Sequence, residues 1–206
     1  MIDKFCEFLT NKIRKEDPNI DEERAEVIKY GIQLIVGEIP KILLLFLIGF
    51  ALGIGKLTFF SFLILLPYKS VSGGFHLKTH IGCLVMTPLI YCGTVFISKY
   101  LIITNVVVRY LVILATWIFG IIMVTLYAPA DTENIPIISK KERKKKKIIS
   151  YITLTILILL SIIIPDTVIS NMCLYGSLIQ SFCISRVAYI ITNNKYGYET
   201  YQKNLA

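Results

Sequence analysis

Both histidines of the chain lie within eight residues of one cysteine, in the stretch YKSVSGGFHLKTHIGCLVMTP from Tyr68 to Pro88. A thiol beside an imidazole supplies a nucleophile and a general base. Two imidazoles with a thiolate could equally ligate a metal. His76, His80 and Cys83 stand at i, i+4 and i+7, a spacing that would put three ligands on one helical face. Against metal, the stretch has no HExxH and no carboxylate to act as base or to hold a ligating imidazole. As peptidase parts the same residues meet a geometric obstacle. Seven residues of helix would set His76 about 10 Å from Cys83, whereas proton transfer needs contact at about 3 Å. Either His80 is the base, or the chain bends between His76 and Cys83; both remain open on geometry alone. Gly73 and Gly74 free the backbone just before His76, and Lys69 and Lys78 make the surroundings electropositive, which favours a thiolate at Cys83.

The elements that must position these groups are membrane helices. Of 206 residues, 55% are hydrophobic and 17% charged, against about 25% charged in a soluble domain. The charges cluster, leaving long stretches almost without them, and the mean hydropathy is +0.67. This predicts an all-α polytopic membrane protein, because lipid satisfies no backbone groups and helices satisfy their own. Six spans of about 20 residues are expected near 32–54, 57–67, 81–98, 106–127, 148–164 and 169–192, the second of them short. The start, MIDKFCEFLTNKIRKEDPNIDEERAE, lacks the apolar core of a signal peptide, so an internal first span is expected. Residues 2–13 set Ile2, Phe5, Cys6, Leu9 and Ile13 opposite Lys4, Glu7, Lys12 and Lys15, an amphipathic helix for the membrane interface. Asp21 with Glu22 and Glu23 reads as the capped start of a second helix. Residues 1–206 are thus one membrane domain: 1–31 amphipathic, 32–67 the first two spans, 68–80 the histidine loop, 81–127 the next two spans, 128–147 a basic loop, 148–192 the last two spans, and 193–206 a tail. Cys6, Cys92, Cys173 and Cys183 fall on apolar faces, where cysteine packs as a small hydrophobe. No CxxC pair and no disulfide framework is present.

Seven of the nine residues in SKKERKKKK, Ser139 to Lys147, are basic. Such a run marks the cytoplasmic side. Two spans separate it from the histidine loop, which therefore shares that side, as do both termini. The net charge of +8 does not imply nucleic acid, since the run is tethered between spans with no folded binding module. Anionic lipid or an acidic peptide would suit it. Glu38, Pro40 and Lys41 interrupt the first span, with Glu38 and Lys41 placed to pair. With Arg109 and Arg186 they could also line a pathway, so a small six-span transporter is the non-enzyme alternative. A metal-dependent membrane peptidase using His76, His80 and Cys83 is the enzymatic one.

The pattern KSVSGGFHLKTHIGC, a basic residue, three residues, Gly-Gly-x-His, six residues and Cys, resembles the signature of the accessory gene regulator B (AgrB) family of integral-membrane cysteine endopeptidases. The block YAPADTENIPIISKKERKKKK, Tyr127 to Lys147, resembles that family's stretch after the fourth span. The resemblance implies Cys83 as nucleophile and His76 as general base and acid, supported by Lys69, Gly73, Gly74 and His80. Lys69 stands where better-known members have Arg, which keeps the charge but loses a bidentate grip. It further implies an AgrD-type propeptide substrate with an acidic tail, for which Lys140, Lys141, Arg143, Lys144, Lys145, Lys146 and Lys147 are the candidate docking residues. The implied reaction removes the tail and closes the signal peptide into a thiolactone, without metal or cofactor, in the cell membrane of a bacterium. A homodimer is also what the family suggests. Asp131, Glu133 and Asn134 are the candidates to orient His76.

Overall fold

The computed structural model describes residues 2–16, 21–77, 79–133 and 136–205. The described chain is helical: α1 (Ile2–Glu16), α2 (Glu22–Ala51), α3 (Gly55–Ser72), α4 (His80–Tyr100), α5 (Val106–Tyr127), α6 (Lys140–Ile163), α7 (Thr167–Cys183), α8 (Arg186–Ile191) and α9 (Gly197–Leu205). Side-chain oxygens set most of the starts. Asp21 accepts from Arg24 N, Thr79 from Gly82 N, Asn105 from Val108 N and Asp166 from Ile169 N, each satisfying an N–H that the first turn leaves free. The cap expected at Asp21 is present.

Short connections at 52–54, 101–105 and 164–166 fold α2–α3, α4–α5 and α6–α7 as three helical hairpins. The longer connections, 73–79 and 128–139, therefore share the opposite end of the bundle. By length and composition α4, α5 and α6 could each cross a membrane. α5 turns Val107, Leu111, Leu114, Ile118 and Ile122 outward, the apolar face that lipid would cover.

α7 is the hub, packed against α3, α4, α5 and α6. It is 17 residues long, and Ser170 through Ser177 are all buried. Small residues admit the neighbours closely: a Cβ on Gly176 would overlap the Leu65 side chain, and one on Gly120 would meet Leu154 and Ser181. Because most of it faces protein, α7 tolerates Ser, Asn and Gln, several of them bonded across the bundle. Asn171 donates to Ser98 O at 3.1 Å and accepts from Arg109 at 3.1 Å, and Arg109 also donates to Ser170 Oγ at 2.6 Å. Arg109, placed near the end of its span by the sequence, thus ties the outer ends of α4, α5 and α7 together. Of the other charges in the transporter reading, Lys41 pairs with Glu38 and Arg186 lies 3.6 Å from Glu199.

Three expected boundaries move. The second span is not confined to 57–67: α3 begins at Gly55 and continues through Pro67 to Ser72, so the non-helical loop is 73–79 rather than 68–80. The segment 169–192 is divided, since α7 stops at Cys183 and Ser185 caps a new helix, α8, through Ala188 N. The run 140–147 is not loop but the first two turns of α6, started by Ser139 accepting from Glu142 N. The S-x-x-E spacing of Ser139 and Glu142 is the sequence signal of that start.

Gly73 ends α3 at φ 77°, ψ −146°, a conformation reserved for glycine, and a Cβ there would strike the Ala130 carbonyl. Gly93, within α4, has open space around it. Gly73→Ala should therefore destabilise the protein by about 1–3 kcal/mol or more, read as a lowered thermal midpoint in detergent, and Gly93→Ala should not.

Candidate active site

The loop 73–79 is held in place through its backbone. Ala130 N donates to Ser72 O at 2.8 Å and Gly74 N to Ala130 O at 2.9 Å, a short parallel bridge between Gly73 and Ala130. Phe75 N donates to Cys183 O at 3.4 Å, and Gln180 Nε2 reaches Gly73 O at 2.8 Å and Ser72 Oγ at 3.0 Å. Three distant parts of the sequence thus fix the loop: the end of α3, the segment after α5 and the last turn of α7. Non-helical backbone at membrane depth is tolerated where protein supplies these partners.

The bend demanded by a His76 base is present. Residues 74–77 are non-helical, Thr79 is the N-cap, and α4 starts only at His80. Cys83 sits in the first turn of α4, and the loop folds back over it: Leu77 N donates to Cys83 Sγ at 3.1 Å, and Sγ lies 3.4 Å from Leu77 O. His76 and Cys83 line one pocket, together with Glu38, Lys41 and Lys69 and an apolar wall of Phe75, Leu77, Met86 and Ile90. His80 is the first residue of α4; its side chain, and Lys78 entirely, lie outside the described residues. Among the described residues no three His, Cys, Asp or Glu side chains gather as a ligand set.

Two of the pocket residues were not assigned to the site by sequence reasoning. Lys41 Nζ bonds Glu38 Oε1 at 2.6 Å, the pairing expected, but the pair faces the thiol. An ion pair astride a proline inside an apolar run was the available signal. Lys69 comes from the last turn of α3 and lies over the Tyr91 ring at 5.5 Å, a cation–π contact. Crowding by protein holds the His76 imidazole below its usual pKa; the nearby Lys69 and Lys41 push the same way, and Glu38 opposes them. A histidine so placed stays neutral, and able to accept a proton, at a lower pH than a free one.

Asp131 is buried but does not orient His76: its Oδ2 accepts from Ile137 N at 2.9 Å and from Arg143 Nη1 at 2.8 Å. Glu133 lies 3.3 Å from Lys195, and Asn134 is outside the described residues. Of the basic run, Arg143 is committed to Asp131 and to the Tyr198 ring, 4.3 Å away, and Lys147 to Thr125 O at 2.5 Å. Lys140, Lys141, Lys144 and Lys145 are exposed, and Lys146 lies 3.5 Å from Glu142. Cys92, Cys173 and Cys183 are buried, as expected of packing cysteines, and Cys83 is half-exposed; the Cys6 side chain lies outside the described residues.

An all-helical membrane protein, with a histidine and a cysteine turned into one pocket at the start of a helix, is the class that fold and site define. The chain belongs to the accessory gene regulator B family, whose sequence profile matches residues 6–184. It is 32% identical over 183 residues to the accessory gene regulator protein B of Staphylococcus aureus, covering 89% of this chain and 91% of that one. It is 29% identical over 198 residues to an AgrB-like protein of Clostridium acetobutylicum (95% and 91% of the two chains), and 28% over 201 residues to one of Listeria innocua (97% and 95%). No solved structure matches the chain. Membership places the protein in accessory gene regulation, the processing of a quorum-sensing signal, with an AgrD-related partner.

The depressed titration of His76 is directly measurable. In protein labelled with 13C-histidine, with His80→Gln to leave one signal, the midpoint should fall below the reference value of about 6.5. Lys41→Met should raise it, because one of the two repelling cations is removed while Glu38 remains.

Proposed function

We propose that the protein is a membrane cysteine endopeptidase that removes the C-terminal tail of an AgrD-type propeptide and promotes thiolactone closure of the signal segment. The observation that carries this reading is the bend at residues 74–79, which puts His76 and Cys83 into one pocket where a continuous helix would have kept them apart. Cys83 Sγ attacks the carbonyl that joins signal to tail, and His76 takes the thiol proton and returns it to the leaving amine. The amides of Gly73 and Gly74 donate to Lys69 O and Ala130 O, so they are engaged and do not serve the tetrahedral oxyanion. The Lys69 ammonium and the Leu77 N–H, already beside the sulfur, are the donors at hand.

The acyl group then rests on Cys83 as a thioester, and a thiol of the signal segment displaces it to close the ring. Sulfur-to-sulfur exchange is close to isoenergetic, which a serine ester would not be. Water in the pocket would instead release a linear acid, so the apolar wall matters to the outcome. Amide to thioester runs uphill, and departure of the tail draws it forward. The loop end of the bundle, with its basic helix α6, faces the cytoplasm by the positive-inside rule, and both termini share that side. The exposed Lys140, Lys141, Lys144 and Lys145 meet anionic lipid or the acidic tail.

Cys83→Ala and Cys83→Ser should lower tail cleavage more than about 1,000-fold with membrane insertion intact; retained cleavage in Cys83→Ala would sink the assignment. His76→Ala should be equally inactive and His80→Ala active. Loss of activity in both, with loss on chelation, would favour the metallopeptidase instead.

Tail docking separates in the kinetics. Glu in place of Lys140, Lys141, Lys144 and Lys145 should raise KM far more than it lowers kcat. Salt should mimic the change, since exposed charges are screened beyond about 8 Å at physiological ionic strength. A propeptide with a neutralised tail should be insensitive to both, once accessibility labelling shows the topology unchanged.

A further inference from the structure

A second hollow lies on the far side of His76, between the end of α3 and the segment that follows α5. Its walls are Gly73, Gly74, Ala130 and Asp131, with Ser70 and Lys146 at its edge. His76 is the one residue that lines both this hollow and the pocket of Cys83. The two differ in chemistry. The Cys83 pocket carries the Glu38–Lys41 pair beside its apolar wall, whereas the second, with the Asp131 carboxylate behind it, is walled by Gly73, Gly74, Ala130 and the apolar Val71, Pro129 and Ile137.

That carboxylate is unusual. The Asp131 side chain is 1% exposed. Its Oδ2 is doubly occupied, but Oδ1 is buried with no hydrogen-bond partner among the described residues. Arg143 offsets its charge, and with no accessible surface on Oδ1 the carboxylate stays behind the wall that the segment 129–132 forms. The group that shuttles the proton must face the thiol on one side and the leaving nitrogen on the other, so the residue shared by two hollows divides the substrate at the scissile bond.

We propose that the second hollow is the leaving-side site: it takes the segment just after the scissile bond, between the end of α3 and the segment that follows α5, while Lys146 and the exposed lysines of α6 meet the acidic side chains further on. The signal segment lies against Phe75, Leu77, Met86 and Ile90. This assignment rests on the peptidase reading, and gives each half of the substrate its own pocket.

The test compares two acyl donors for the full-length protein. One is the tailed propeptide; the other is the signal segment ending in a small alkyl thioester in place of the tail. In both, the signal segment's own cysteine is changed to serine so that the acyl-enzyme accumulates, and the readout is the rate of mass gain on Cys83, with Cys83→Ala as blank. With the first donor an S–C bond forms, the C–N bond breaks and nitrogen takes the proton; with the second the C–S bond breaks and the small thiol takes it. Ser70→Trp, which narrows the hollow from an exposed helical position, should slow acylation by the tailed donor at least about 10-fold and spare the thioester. Equal slowing of both donors, or slowing of neither, would overturn the leaving-side assignment while leaving the peptidase reading intact. Wild-type protein acylated at Cys83 by neither donor would overturn that reading, and the site with it.

Discussion

Everything in the site depends on how the break between α3 and α4 satisfies its backbone between two apolar helices. Where water is scarce an unpaired amide is costly, so an interruption between two apolar helices survives only if other parts of the chain complete it. Here Ala130 receives Gly74 and donates to Ser72, Cys183 receives Phe75, and Gln180 caps Gly73. Gly73 is the one residue type that can turn the chain toward Ala130 without collision. Because the loop is held, α4 can begin as late as His80, and the cysteine on its first turn meets a histidine that precedes the helix.

Charge is arranged around that geometry with a bias. Glu38 is the one acid lining the Cys83 pocket, against Lys41 and Lys69. The surplus of cations favours the neutral imidazole. On the other side of the loop the balance is reversed in kind: Asp131 is matched by Arg143, which clamps the segment 129–137 to α6 through Pro129 O, Ile137 O and the carboxylate. The basic run therefore has two tasks. Arg143 and Lys147 point inward and hold the fold together, while four exposed lysines remain for what lies outside.

Much of this was legible in the residues. Hydropathy gave the helical class and located α4 and α5 closely, since each is apolar along nearly its whole length, but of α6 it found only the part after the basic first turns. It was least informative where a helix faces protein. α7 carries Ser, Asn and Gln, and its end at Cys183 has no hydropathy signature because α8 continues the apolar run. The Gly-Gly-x-His spacing located the loop, but the bend itself depends on partners 55 to 110 residues away in the chain, which no local pattern encodes. For the same reason Asp131 stood beside Glu133 and Asn134 among the candidates to orient His76, whereas its bonds go to Arg143 and Ile137. The pairing of Glu38 with Lys41 was readable from their spacing; that the pair looks toward the thiol was not.

The composition of α7 also sets the order in which the protein can come into being. A 17-residue helix bearing Ser170, Asn171, Ser177, Gln180 and Ser181 partitions poorly into lipid by itself and is stable only among the helices it joins. It is the last of the bundle to leave the ribosome, and its final turn supplies the carbonyl of Cys183 and the amide of Gln180 that hold the loop. A nascent chain that has made Cys83 and His76 but not yet α7 thus lacks the frame that holds the loop, and the pocket those two residues share takes shape only when α7 joins the bundle.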